Sequence, residues 1–233
     1  MQIKHPEWLQ PLHQDRRLYG YDQNWYSTAF RRASGCGPTA AAMLLLYLNR
    51  RQGLPLPYCD DSVASVVGAM EAIWNYVTPG WMGLASTGRF CRGVAAFLEQ
   101  HSVAWQCREL NLSLLHSRRR VLSEAARFIG DGLASDCPVA FLNLHKGQAS
   151  ALESWHWIVV TALNWTAEGR RCLATCYDGG RRVEFDLGLW LTTTRLGGGF
   201  VYLDVSSPGQ RAAEGTKFPR REQCFFTEDN EGR

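Results

Sequence analysis

The sequence predicts an α+β fold, with helices dominating the first half of the chain and an antiparallel sheet the second. Three observations lead there. An almost wholly apolar helical run occupies residues 38–51 directly after Cys36, the other long helical periods are confined to the first half, and β-rich segments separated by turns follow Pro138. At 233 residues, 45% of them hydrophobic, the chain can bury one sizeable core. Residues 1–205 therefore read as a single catalytic-size domain, helical over about 19–135 and β-rich over about 136–205.

Residues 1–33 are aromatic and polar without a helical period, which predicts an extended lead into the first helix. That helix, 38–51, is apolar on every side and so must be central; Gly53, Pro55 and Pro57 close it. Residues 62–77 and 88–101 are amphipathic and predict two further helices, with the turn-rich stretch Thr78-Pro79-Gly80-Trp81-Met82-Gly83 between them. A short strand over 103–110 and a helix over 113–128 complete the first half. In the second half, 139–144, 155–163, 171–177, 182–185 and 199–205 predict a meandering sheet. Turns fall at 164–169 and Asp178-Gly179-Gly180, and residues 186–191 predict one helical turn. The prolines, glycines and charges of 206–233 predict a loose C-terminal extension, with Phe225-Phe226 its apolar pair.

Composition narrows the function classes. A net charge of +3 with scattered arginines gives no nucleic-acid surface, and the apolar run 40–48 is too short to span a bilayer. The polar N-terminus reads as lacking a signal peptide, which predicts a cytoplasmic protein. Cys36, Cys59, Cys91, Cys107, Cys137, Cys172, Cys176 and Cys224 include no Cys-x-x-Cys pair and no histidine at zinc spacing. No metal or organic cofactor is expected, and most of these thiols are expected to be reduced and buried, Cys172 and Cys176 on one strand face.

The chemistry concentrates in two segments, Ser34-Gly35-Cys36-Gly37-Pro38-Thr39 and Trp155-His156-Trp157-Ile158-Val159-Val160. A free thiol is mostly protonated at neutral pH, so a nucleophilic cysteine needs positive potential. Cys36 has it: glycines on both sides allow a sharp turn, Pro38 suits a first helical turn, and the following helix points its positive end at the sulfur. His156 opens a buried strand, where it can exchange a proton with the thiol. His145, which closes a strand, ranks second, and His5, His13, His101 and His116 lie in polar or helical contexts. Asp178, ending the next strand at a Gly-Gly turn, is placed to orient the imidazole, although an aspartate there also serves as an ordinary turn former. The oxyanion of an acyl-transfer intermediate needs donors: the Cys36 amide and an upstream side-chain amide, Gln23 or Asn24, of which Gln23 is preferred.

These segments resemble the peptidase C39-like branch of the papain-like cysteine peptidases, in Gly35-Cys36-Gly37-Pro38-Thr39-Ala40 and His156-Trp157-Ile158-Val159-Val160-Thr161 and in the chain order Gln, Cys, His, Asp. The resemblance spans roughly residues 19–204. It implies a papain-like arrangement, a helical lobe bearing Cys36 packed against an antiparallel β-sheet lobe bearing His156 and Asp178 with the site between them, with Cys36, His156, Asp178 and Gln23 as catalytic residues and a peptide or protein substrate. Two departures stand out. Family members usually place the glutamine about half a dozen residues before the cysteine, where this chain has Phe30, and often follow the third residue with proline, where it has Gly179. The expected activity is hydrolysis of peptide or amide bonds through a Cys36 acyl-enzyme. An inactive papain-like binding protein and an acyl transferase of transglutaminase type are the alternatives. The stretch from Thr78 to Gly88 and the run Gly197-Gly198-Gly199 are candidate cleft walls.

Overall fold

The computed structural model describes residues 1–56, 60–81, 83–103, 105–112 and 118–204. Cys59, Met82, His116, Cys224 and the extension 206–233 with Phe225 and Phe226 lie outside the described residues. Those described form an α+β structure of six α-helices and a six-stranded antiparallel sheet, with a two-stranded ribbon, β1 (Leu12–His13) and β2 (Arg16–Arg17), near the N-terminus. None of these helices is long and apolar enough to cross a membrane.

The lead segment is less extended than its sequence predicts. Thr28 caps a short helix, α1 (Ala29–Ser34), through a bond from Arg31 N to its hydroxyl, and Gly35 joins α1 directly to α2 (Cys36–Gln52). Ala29, Phe30 and Ala33 are exposed while Arg31 and Arg32 are half-buried, so the helix shows no apolar stripe that periodicity could find. α2 is buried from Cys36 through Asn49 and ends at Gly53, whose left-handed φ of 60° suits a glycine. It is the central helix its composition demands. Ser62 caps α3 (Val63–Trp74), which packs on α2, and Ser86 caps α4 (Thr87–Gln100).

The sheet is not confined to the second half. Its order is β3 (Gln106–Leu112), β8 (Gly198–Asp204), β4 (Val139–Asn143), β5 (His156–Trp165), β6 (Cys172–Asp178), β7 (Arg181–Asp186). Strands β4 to β7 form the expected meander, whereas β8 inserts beside β4 and pairs β3 from the helical half along its whole length. Successive residues of β8 show the two covering layers: Gly199 lies against Thr87 of α4, and Phe200 meets Trp190 of α6 (Leu187–Thr193). α5 (Arg118–Ala134) lies with α6, and Phe141 fills that layer between Phe185, Phe200 and Trp190.

Four of the six described cysteines fit the expectation of free, buried thiols, and two do not. Cys91 and Cys107 form a disulfide joining α4 to β3, because the packing of that helix on the edge strand brings their Cα atoms to 6.1 Å. Cys36, Cys137, Cys172 and Cys176 are free and buried. The run Gly197-Gly198-Gly199 is no cleft wall: a Cβ on Gly198 would overlap the Leu142 carbonyl and one on Gly199 the Leu110 carbonyl, so these glycines let β8 fit tightly between β3 and β4.

Candidate active site

Cys36 is the first residue of α2 and only 7% exposed. Its neighbours are glycines for steric reasons. A Cβ on Gly35 would overlap the Arg31 carbonyl and the Tyr26 ring, and one on Gly37 would stand 2.8 Å from Leu84 Cδ2. The cysteine is thereby held between two tightly packed turns. α1, α3, α4 and α6 are each capped by a side-chain oxygen, of Thr28, Ser62, Ser86 and Asp186, whereas the N-cap of α2 is Gly35 and brings no side-chain bond. The first amides of α2 are left to other acceptors, and the positive end of its dipole lies at the sulfur.

His156 begins β5, and its ring is nearly buried, with its side chain 16% exposed beside an Asp178 side chain of 14%. Nε2–H donates to Asp178 Oδ1 at 2.7 Å, and the Cys36 side chain is the ring's other polar neighbour. Burial disfavours the charged ring, but the bond to Asp178, the bond to Cys36 and the charges of both outweigh it and push the His156 pKa up to about 10. The surroundings therefore favour the protonated ring.

The hairpin from β6 to β7 turns on Gly179 and Gly180, with φ of 53° and 77° at the two central positions. Glycines accept positive φ at both positions of that two-residue turn without strain, and the turn sets Asp178 at the strand end beside His156. Before His156, Trp155 holds φ of 59°, a conformation that a bulky side chain rarely adopts. The loop that imposes it is anchored by Asn143, 1% exposed and paired with His156 across β4 and β5. Its Nδ2 donates to the Glu153 carbonyl (2.6 Å) and its Oδ1 accepts from Trp190 Nε1 (2.8 Å). Asn143 sits within an apolar strand and gives no sequence signal of this duty.

Gln23 lies in a 3-10 turn, Gln23–Trp25, capped by Asp22. Its Nε2 donates to the Arg32 carbonyl at 2.7 Å, retaining one further amide hydrogen, and its Oε1 is buried with no partner among the described residues. Arg32 in turn donates to the carbonyls of Tyr26 and Ser27, so one residue of α1 ties down the whole loop. Asn24 is committed otherwise, donating from both its backbone and its side chain to Asp22 Oδ1.

Gln23, Cys36, His156 and Asp178 line one cleft of about 340 Å³. Residues that sequence reasoning missed share its wall. Met43 and Tyr177 are apolar or buried, while Glu153 and Arg181 face each other across the rim with 3.8 Å between Oε1 and Nη2. No pattern in the sequence distinguishes them from ordinary core or surface positions. The second-ranked histidine is not in this cleft. His145 Nδ1 accepts backbone N–H groups of Gly147 and Arg195, and its carbonyl accepts from Trp190 and Thr194, which makes it a loop brace.

The described residues contain no group of three or more His, Cys, Asp or Glu able to hold a metal. A buried sulfur at an uncapped helix start, a histidine beside it and a carboxylate behind the ring suit nucleophilic attack at an acyl carbon. No protein-family model matches this sequence, and no curated protein matches it.

Proposed function

We propose that this protein is a cysteine hydrolase of peptide or amide bonds, with the papain-like arrangement of the C39-like peptidases. The observation that carries the reading is the Cys36–His156–Asp178 constellation at the uncapped start of α2. The Cys36 thiolate attacks the substrate carbonyl and forms a C–S bond. The oxyanion so produced is held by the Cys36 amide and the remaining amide hydrogen of Gln23. His156, already protonated, gives its proton to the leaving nitrogen as the C–N bond breaks. Water then attacks the thioester while the neutral ring takes its proton, the C–S bond breaks, and the thiolate and imidazolium are restored. Asp178 holds the ring through Nε2, which keeps Nδ1 toward the sulfur. No step requires a metal or an organic cofactor.

Alkylation tests the premise. Iodoacetamide near pH 6 should label Cys36 much faster than the other thiols, and His156→Ala should remove that advantage. Uniform slow labelling of the native protein would overturn the nucleophile assignment and leave an inactive binding protein. Once a peptide substrate is in hand, adding an amine acceptor separates hydrolysis from acyl transfer.

A further inference from the structure

The loop that follows Thr78 is locked to both halves of the cleft. Trp157, in the cleft wall, donates its indole N–H to the Leu84 carbonyl, and the Leu84 side chain lies on Gly37, the residue after Cys36. Leu84 is also the floor of a second groove of about 300 Å³, lined by Tyr76, Thr78, Arg89, Arg92 and Ala96. One buried residue thus separates the nucleophile's turn from this groove.

The groove is basic. Arg89 and Arg92 stand one turn apart on the exposed face of α4, and among the described residues neither has a carboxylate within ion-pair distance. Arg89 reaches only the Thr78 carbonyl, at 3.4 Å. The nearest acid is Glu109, which approaches the same Gly88 as Arg92 without pairing to it. Arg17 pairs with Asp61, Arg31 with Glu71, Arg171 with Asp186 and Arg181 with Glu153; Arg89 and Arg92 differ from other arginines without acids in lining one groove together. At the rim, Gly80 and Gly83 exchange backbone bonds of 3.0 and 2.9 Å and hold up Trp81, which is 90% exposed. Gly80, next to Trp81, has the Arg89 guanidinium 3.6 Å from its Cβ position, and two arginines without acids among the described residues suit a peptide carrying negative charge.

We propose that this groove is a subsite for an acidic stretch of the peptide substrate, with Arg89 and Arg92 receiving its carboxylates. The proposal rests on the hydrolase reading only for the word substrate; binding itself is independent of turnover. Three fluorescein-labelled dodecapeptides, six alanines alternating with six glutamates, glutamines or lysines, are titrated by anisotropy into the Cys36→Ala chain at low salt. The glutamate peptide should bind about five-fold or more tighter than the glutamine peptide, as two partly exposed ion pairs allow, and the preference should shrink in high salt. Arg89→Gln with Arg92→Gln should abolish it. Arg92→Gln alone, which leaves the Arg89 bond to the loop intact, should weaken it. Equal binding of the two peptides, or a preference that survives the double substitution, overturns the proposal.

Protection ties the groove to the cleft. The glutamate peptide should slow iodoacetamide labelling of Cys36 in the otherwise unaltered chain and fail to do so in the Arg89→Gln, Arg92→Gln chain. Binding without protection would reject the subsite. Slow labelling of Cys36 without any peptide, alongside an intact glutamate preference, would instead reject the hydrolase reading.

Discussion

At the residue scale, the charge state of His156 decides what the site does. A histidine of ordinary pKa would wait neutral as a base; one pushed up to about 10 already holds the proton that a leaving nitrogen needs. The direction of the pH dependence follows. As pH rises past 6.5 the ring stays protonated and the acid function persists, and only near 10 is it lost. A titration of the ring nitrogens by NMR should show this, and Asp178→Asn should move the midpoint to lower pH because it removes the carboxylate that stabilises the charge. A midpoint near 6.5 in the unsubstituted chain would contradict it. Turnover should lose its alkaline limb in parallel, falling off at lower pH in the Asp178→Asn protein. Gln23 belongs to the same scale: its partnerless, buried Oε1 and its bond to Arg32 describe a side chain held for geometry.

At the scale of elements, the junction of α1 and α2 governs where the sulfur stands. Gly35 has an ordinary helical φ of −83°, so its requirement is space and not backbone freedom. Gly35→Ala forces a methyl group into the Arg31 carbonyl and the Tyr26 ring, and should destabilise the fold by about 1–3 kcal/mol in urea unfolding. Gly53→Ala makes a useful comparison: nothing lies within 4 Å of its Cβ position, and its cost comes from the left-handed φ alone. If Gly35→Ala left both stability and Cys36 labelling unchanged, the junction would not be the tight turn described. Asn143 and the Gly179-Gly180 turn do for His156 and Asp178 what this junction does for Cys36. Each strand end is pinned by backbone-directed bonds or by a turn with one permitted geometry.

For the whole molecule, the Cys91–Cys107 bridge joins the α4 layer to the edge of the sheet across a sequence separation of 16. Closing a loop of that size is worth about 3 kcal/mol in the chain-entropy account. Peptide mapping without reductant should recover the two cysteines linked, and Cys91→Ser with Cys107→Ser should lower the unfolding midpoint. Recovery of both as free thiols from protein handled without reductant would remove the bridge from the description. Bonds of this kind persist in oxidising surroundings, in contrast to the reduced thiols that the cysteine spacings suggest.

Much of the architecture was legible in residue order. An apolar helix that cannot be anything but central, strands bounded by turn residues, and the placing of Cys36 at a helix start and His156 at a strand start all follow from local pattern, because burial and backbone preference act within a few residues of each other. Gln23 and Asn24 both line the cleft, and each side-chain amide makes one bond, Gln23 to the Arg32 carbonyl and Asn24 to Asp22, which residue order did not disclose. The rest of what residue order did not disclose shares one feature: it depends on segments distant in the chain. The insertion of β8 between β3 and β4, the disulfide, the bracing roles of Asn143 and His145, and the groove beside Leu84 all arise from contacts between elements. Sequence alone therefore determined which chemical groups this protein carries and the local elements that present them. Tertiary structure decided which groups meet and with what charge, since proximity across the fold, and not residue type, raises the pKa of His156 and leaves Arg89 and Arg92 without acids among the described residues.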